Sequence, residues 1–120
     1  MRVVLLSGDL MLLARLEGAA RQKNWTVSTA TSSARVLELV RQEDCQLLVI
    51  DLKLADIDLS GLVSDLNTAP NPIPVVACGP HVHEDRLAAA REAGCDLVVT
   101  RGQFERDAET ILGKFCEPSK

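Results

Sequence analysis

The residues best suited to chemistry in this chain are aspartates that follow one apolar run. Residues 46–50, four of them apolar, lead without alternation into Asp51, and Asp56 and Asp58 follow shortly afterwards. An uninterrupted apolar run of this length is typical of a strand buried on both faces, as in a parallel sheet. Ligands bind outside the carboxyl ends of the strands in open α/β sheets, so Asp51 is expected at a functional crevice. We expect Asp56 and Asp58 to be a loop acid and a helix N-cap.

Other residue types that could do chemistry give weaker signals. His81 and His83 lie two residues apart and cannot share a helix face, so we predict exposed loop histidines, with a metal pair or a pH-sensitive contact as the alternative. The cysteines form no Cys-x-x-Cys pair, which predicts buried thiols in a reduced compartment and no zinc or redox site. These cysteines are Cys45, Cys78, Cys95 and Cys116. The chain also lacks the glycine-rich signatures of nucleotide-binding loops, so no metal or cofactor site is predicted.

Composition narrows the possible functions further. The 120 residues predict one domain, and a net charge of −4 with only 2% aromatic residues argues against binding of nucleic acid, which needs a basic patch or stacking rings. No apolar run approaches the roughly 20 residues of a membrane span. The chain opens directly into a predicted strand, without the pattern of a signal peptide. We therefore expect a cytoplasmic domain that contacts neither nucleic acid nor membrane.

Five strand-helix units are predicted to position these residues. The predicted strands cover residues 2–7, 25–30, 46–50, 73–78 and 97–99, and the predicted helices cover residues 10–23, 34–44, 59–66, 83–93 and 104–115. Residues 25–30 alternate in polarity, which is typical of a strand at the edge of a sheet. Consecutive strand-helix units with right-handed crossovers predict an α/β fold with a doubly wound parallel sheet. We expect one domain over residues 1–116, with residues 117–120 a tail or the start of a linker.

Local signals refine the ends and faces of the helices. Asp9 is a predicted N-cap of the first helix, and Gly94 is a predicted terminating glycine of the fourth. Residues 100–102 are predicted to form a loop before the last helix. Helical spacing predicts a buried stripe on the first helix, formed by Leu10, Leu13, Leu16 and Ala20.

Three segments resemble the receiver domain of bacterial two-component response regulators. Residues 51–58, Asp-Leu-Lys-Leu-Ala-Asp-Ile-Asp, resemble the phosphoacceptor loop of that family, usually Asp-Leu-x-Met-Pro-x-Met-Asp-Gly. Residues 73–77, Ile-Pro-Val-Val-Ala, and residues 91–96, Arg-Glu-Ala-Gly-Cys-Asp, are similar to segments around the family's fourth and fifth strands. The resemblance spans all five units. It implies a flavodoxin-like (βα)5 fold with a five-stranded parallel sheet in the order 2-1-3-4-5.

The resemblance also implies which positions would carry the family's chemistry, and most of them differ here. Asp51 is kept at the phosphoacceptor position, but Ser7 and Gly8 stand where the family has its metal-binding acid pair. The two switch positions, a hydroxyl after the fourth strand and an aromatic ring in the fifth, are Gly79 and Val98. The conserved lysine of the family is replaced by an arginine, Arg101.

These differences predict weak metal binding and little phosphotransfer. A carboxylate at about 4 Å from a dication contributes a gross attraction on the order of 8 kcal/mol at an effective dielectric of ~20. If desolvation cancels three-quarters of that, two missing acids weaken Mg²⁺ binding by roughly three orders of magnitude. Asp9, at the start of the first helix, would serve as a ligand only if the turn were displaced. Asp51 is then expected to form a fixed ion pair with Arg101, with a solvated acid and a true phosphoacceptor as the alternatives.

The sequence therefore predicts an atypical receiver domain that acts as a non-enzymatic protein-interaction module in signal transduction, without Mg²⁺-dependent phosphorylation. The expected partner is another signalling protein or an output domain. By analogy with the family, contacts or a homodimer would use the fourth helix, fifth strand and fifth helix. One alternative is an unusual receiver that is phosphorylated on Asp51. The other is a flavodoxin-like domain that binds a small ligand in the crevice between Ser7, Gly8 and Gly79.

Overall fold

The chain folds into a five-stranded parallel sheet with helices on both faces. The structure, a computed structural model, describes residues 2–42, 45–54, 57–68 and 72–116. The strands are β1 (Arg2–Leu6), β2 (Thr26–Ala30), β3 (Cys45–Asp51), β4 (Val75–Gly79) and β5 (Leu97–Thr100). The helices are α1 (Leu10–Arg21), α2 (Ser33–Gln42), α3 (Leu59–Asn67), α4 (Glu84–Ala93) and α5 (Arg101–Cys116). The strand order β2-β1-β3-β4-β5 confirms the predicted flavodoxin-like fold.

The centre of the sheet is β3, which lies between β1 and β4. Every residue of β3 except Gln46 is buried, as its continuous apolar run predicts. At the edge, β2 buries only Ala30 fully, which confirms the alternating pattern as that of an edge strand. Because all strands are parallel, the carboxyl ends of β1, β3 and β4 open on the same side.

The core has two apolar layers, one on each face of the sheet. One layer contains the inner faces of α1 and α5, with Phe104 its largest side chain. The other contains the inner faces of α2, α3 and α4, with Leu62 and Leu87 among its members. Apart from Cys78 in the first layer and Cys45 in the second, the other buried residues of both layers are aliphatic, as the scarcity of aromatic residues predicts.

The prediction that Leu10 faces the core is wrong, because its side chain is 79% exposed. The carboxylate of Asp9 accepts hydrogen bonds from the backbone N–H groups of Met11 and Leu12, which confirms Asp9 as the N-cap and begins the helix at Leu10. Residues two positions apart in an α-helix are rotated by about 200° around its axis. Because Leu12 points inward, Leu10 points outward. The buried residues of α1 are Leu12, Leu16, Ala19 and Ala20.

The prediction of a loop over residues 100–102 is also wrong, because α5 begins at Arg101 directly after β5. The Thr100 hydroxyl accepts a hydrogen bond from the Gln103 N–H at 3.1 Å, and the Gln103 side chain accepts one from the Thr100 N–H at 2.9 Å. This reciprocal pair is a capping box, which starts the helix without a loop. The helix then departs from helical geometry at Asp107 (φ −110°, ψ 18°).

Other boundaries differ by one to three residues from the predicted ones. β4 begins at Val75 and includes Gly79, and α1 ends at Arg21. Gly94 ends α4 at φ 100°, the left-handed conformation that favours glycine, as predicted. The predicted end of the second helix at residues 43–44 and the tail at 117–120 lie outside the described residues, so the domain boundary stays a prediction. Within the described ranges, no helix is long and apolar enough to cross a membrane.

Candidate functional site

Asp51, at the end of β3, is a buried carboxylate with both oxygens hydrogen-bonded. Its side chain lies in the crevice at the carboxyl ends of the strands and is 3% exposed. Oδ2 accepts a hydrogen bond from Ser7 Oγ at 2.6 Å, and Oδ1 accepts one from the backbone N–H of Lys53 at 3.0 Å. Burying a carboxylate is costly unless donors of this kind compensate for the lost water. The carboxylate is therefore held in place by its own chain.

The hydroxyl of Ser7 joins the two turns that border the crevice. Ser7 follows β1 and is buried, and its hydroxyl donates a hydrogen bond to Asp51 while accepting one from the Asp9 N–H at 3.0 Å. Its own N–H donates to the Ala30 carbonyl at 3.0 Å. The turn between β1 and α1 is thus fixed to the end of β3 through one side chain.

A second acid, Asp9, faces the crevice but is already bound to other groups. Its Oδ2 lies 3.0 Å from a guanidinium nitrogen of Arg101, and its Oδ1 caps α1. The hydrogen bond from the Leu12 N–H, followed by that from Arg101, lowers the pKa of the Asp9 carboxyl from its ordinary value. Asp9 therefore serves as a cap and an ion-pair partner.

The predicted ion pair between Asp51 and Arg101 is wrong. Arg101 bonds Asp9 with one nitrogen and Glu105 with Nε at 3.0 Å, and the donors to Asp51 are Ser7 and Lys53. Partial burial opposes the charge of the guanidinium, but the hydrogen bonds and charges of Asp9 and then Glu105 raise the pKa of Arg101. Arg101 pairs with Asp9 and not with Asp51 because it is the first residue of α5, a position that directs its side chain toward α1.

Gly79, at the end of β4, lies against Leu52. A Cβ atom on Gly79 would lie 3.0 Å from Leu52 Cβ, closer than ordinary van der Waals contact. Leu52 is 7% exposed, and its N–H donates to the Cys78 carbonyl at 2.8 Å. Leu52 therefore occupies the space that a side chain at position 79 would need.

A cleft of about 280 Å³ remains above these residues, lined by Gly8, Asp9, Asp51, Lys53 and Leu54. Asp58 lies outside this lining and caps α3 by accepting a hydrogen bond from the Gly61 N–H at 3.1 Å, as predicted. Asp56 lies outside the described residues.

Comparison with known proteins identifies the family of this chain. The sequence model of the response regulator receiver domain matches residues 4–110. The chain belongs to the receiver domain family. Over 95 residues this receiver is 30% identical to the transcriptional regulatory protein PrrA of Mycobacterium leprae and 28% identical to PrrA of Mycobacterium tuberculosis. These matches cover 79% of the receiver and 41% of each relative, so the chain spans about two-fifths of the length of the relatives it matches.

Solved structures of receivers share the fold of this one. A response regulator from Thermotoga maritima superposes with a TM-score of 0.79 at 14% identity, covering 98% of both chains. The receiver domain of a sensor histidine kinase from Pseudomonas aeruginosa, solved with a magnesium ion in its active-site cleft, superposes with a TM-score of 0.78 at 12% identity, covering 95% of both. Receiver domains are signalling modules, and this receiver has their sheet order and helix placement.

The described crevice of this receiver does not fit a magnesium ion. Mg²⁺ prefers carboxylate and water oxygens in octahedral geometry. The Ser7 hydroxyl directs its proton at Asp51, the carboxylate of Asp9 is bound to Arg101, and Gly8 has no side chain. No group of three or more metal-binding acids, histidines or cysteines occurs among the described residues. The arrangement satisfies the charge of Asp51 with hydrogen-bond donors instead.

Val98, predicted at the second switch position, is half-buried in β5, where it pairs with Ala77 of β4. It packs against the apolar layer that α2, α3 and α4 share. Its aliphatic side chain has no ring that could move between buried and exposed positions. The roles predicted for Gly79 and Val98 stay predictions.

The remaining candidates are the thiols of Cys78 and Cys95 and the two histidines. Cys78 pairs with Asp51 across the sheet, and burial, followed by the charge of Asp51, raises the pKa of its thiol to about 12. Burial likewise raises the pKa of Cys95 to about 11. His81 is exposed, as predicted, but the prediction is wrong for His83, which is half-buried at the start of α4.

Some site residues were missed at the sequence level. The capping box was visible as Thr100-Arg101-Gly102-Gln103, and it would have placed Arg101 on a helix. Glu105, four residues after Arg101, is a standard helical ion-pair spacing. No sequence signal identifies the contact of Leu52 with Gly79, which depends on tertiary packing.

Proposed function

We propose that this receiver is a non-enzymatic protein-interaction module whose conformation does not depend on Mg²⁺-dependent phosphorylation of Asp51. The observation that supports this most directly is the engagement of both Asp51 oxygens, by Ser7 Oγ at 2.6 Å and the Lys53 N–H at 3.0 Å. Phosphoryl transfer needs positive charge placed where negative charge develops in the transition state. Here the guanidinium of Arg101, which stands at the lysine position of the family, is paired with the carboxylates of Asp9 and Glu105.

The positions around Asp51 support the same proposal. Ser7 and Gly8 supply no carboxylate, and Gly79 supplies no hydroxyl to bind a phosphoryl group. These replacements retain the scaffold and remove the groups that assist transfer. A cytoplasmic location belongs to this proposal, as does the absence of a resident cofactor.

The expected partner is another signalling protein or an output domain. The matched relatives are transcriptional regulatory proteins more than twice as long as the matched region, which supports a role beside an output domain. The surface proposed for contact is formed by α4, β5 and α5, and a homodimer through this surface is part of the proposal. All four residues of β5 are only half-buried, so this edge of the sheet is accessible.

The proposal is tested by exposing the protein to acetyl phosphate and MgCl₂ and measuring its intact mass. We expect no phosphoryl adduct on the wild-type chain beyond the level seen in Asp51→Asn. A stoichiometric adduct that disappears in Asp51→Asn would show that the receiver is phosphorylated and would overturn the proposal. Sedimentation of the same samples tests the dimer, and an oligomeric state that changes with the phosphodonor would contradict independence from phosphorylation.

A further inference from the structure

We infer that Leu52 and Arg86 form a brace that fixes α4 to the loop after Asp51, and that the brace requires glycine at position 79. Leu52 immediately follows Asp51, and Arg86 lies in the first turn of α4. Arg86 donates a hydrogen bond from its guanidinium to the Leu52 carbonyl at 2.8 Å. This bond connects the crevice to α4 across 34 residues of sequence. The inference goes beyond the proposed function, because it does not depend on whether Asp51 accepts a phosphoryl group.

The backbone of Leu52 is held on both sides. Its N–H donates to the Cys78 carbonyl at 2.8 Å, and its carbonyl accepts from Arg86 at the same distance. Leu52 itself is 7% exposed, whereas the Arg86 side chain reaches its carbonyl from the exposed surface of α4. A hydrogen bond to a charged donor is stronger than one between neutral groups. Leu52 therefore has little freedom to move relative to either β4 or α4.

Gly79 permits this position of Leu52. The nearest atom to a Cβ on Gly79 would be Leu52 Cβ at 3.0 Å, with Cδ1 at 3.5 Å and Cγ at 3.7 Å. A Cβ atom moves only with its backbone, so a side chain at position 79 would displace the Leu52 main chain. That displacement would lengthen the bond to Cys78 or the bond to Arg86.

The brace also explains how the start of α4 is held. His83 precedes the helix and provides no side-chain hydrogen bond as a cap. Arg86 is one turn further along and connects the helix to the crevice instead. We assign Arg86 as a positioning residue, since it acts on α4 through the Leu52 carbonyl. The position of α4 relative to Asp51 is then fixed by the chain itself.

The first test compares hydrogen exchange in Arg86→Ala and Arg91→Ala. Arg91 lies on the same helix and is also exposed, so its loss matches the change in charge and helix propensity. We expect exchange of the amides of residues 52–54 and of the first turn of α4 to rise about tenfold in Arg86→Ala, as loss of a charge-assisted bond implies. Arg91→Ala should leave those peptides unchanged. Equal exchange in the two variants would overturn the inference.

The second test is a double-mutant cycle between positions 79 and 86. Gly79→Ser should lower the folding equilibrium constant about tenfold, as expected for overpacking. In the Arg86→Ala background the same substitution should cost at least threefold less, because the Leu52 carbonyl is then free to shift. In the Arg91→Ala background it should keep its full cost. Additive effects of Gly79→Ser and Arg86→Ala would refute the coupling. If Gly79→Ser does not fold, Gly79→Ala replaces it in the cycle, because the close contact with Leu52 is made by the Cβ atom.

Discussion

Ser7→Ala tests whether the buried hydrogen bond to Asp51 holds the crevice together. The substitution leaves Asp51 Oδ2 and the Asp9 N–H without their shared partner, at a site where Asp51 is 3% exposed. Hydrogen bonds to charged groups contribute about 1.5–3 kcal/mol, so we expect Ser7→Ala to reduce the free energy of unfolding by roughly 2 kcal/mol. For a domain of this length that loss corresponds to a decrease in Tm of roughly 8 °C.

The assay is urea denaturation followed by circular dichroism at neutral pH. Ser64→Ala is the matched control, because Ser64 is exposed on α3 and its loss should change stability by less than about 0.5 kcal/mol. In an Asp51→Asn background, Ser7→Ala should cost about 1 kcal/mol less, since a neutral amide is less dependent on the hydroxyl. The reasoning is refuted if Ser7→Ala matches Ser64→Ala, or if its cost is the same in both backgrounds.

Three further predictions concern the groups around the crevice. The lowered pKa of Asp9 means that its contribution to stability is complete above the ordinary value of 3.8 and is lost as pH falls through the lower folded-state pKa, so urea midpoints of Asp9→Asn should fall less steeply than those of the wild type below about pH 4, and parallel curves would contradict this. Gly8→Asp should produce Mg²⁺ binding that calorimetry detects and that the wild-type chain does not show, because a Cβ there meets only Thr31 Cγ2 at 4.0 Å, whereas no binding by the variant would show that one added carboxylate is not enough. Cys78, with a thiol pKa of about 12, should resist iodoacetamide at pH 8 in the folded protein and react in urea, and equal rates in both states would be inconsistent with its burial.

The central strand, the edge strand and the place of Asp51 were predictable because they depend on the pattern of apolar residues. The apolar run before Asp51 is long enough to identify a buried central strand, and the polar alternation of residues 25–30 identifies an edge strand. Resemblance to receivers supplied the order of the strands. The central and edge strands depend on which residues are apolar, and tertiary detail changes them little.

The partner of Arg101 was not predictable from the resemblance, because it depends on where α5 begins. A loop at residues 100–102 would have left Arg101 free to reach Asp51, whereas the capping box of Thr100 and Gln103 places it on the helix beside Asp9. The exposure of Leu10 has a similar cause, since one residue at the N-cap sets the rotation of the whole helix. The exact residue at which each helix begins thus determined the ion pairs of Arg101 and the exposure of Leu10.

The hydrogen bond from Ser7 to Asp51 has a consequence for how information could pass through such a protein. A phosphorylatable receiver reports the ratio of its modified to unmodified copies, so its output follows kinase flux and metal supply. In the proposed function, the carboxylate of Asp51 is saturated by an internal donor and that ratio does not vary. What the cell can still vary is the number of copies, and the output then follows synthesis and degradation of the protein.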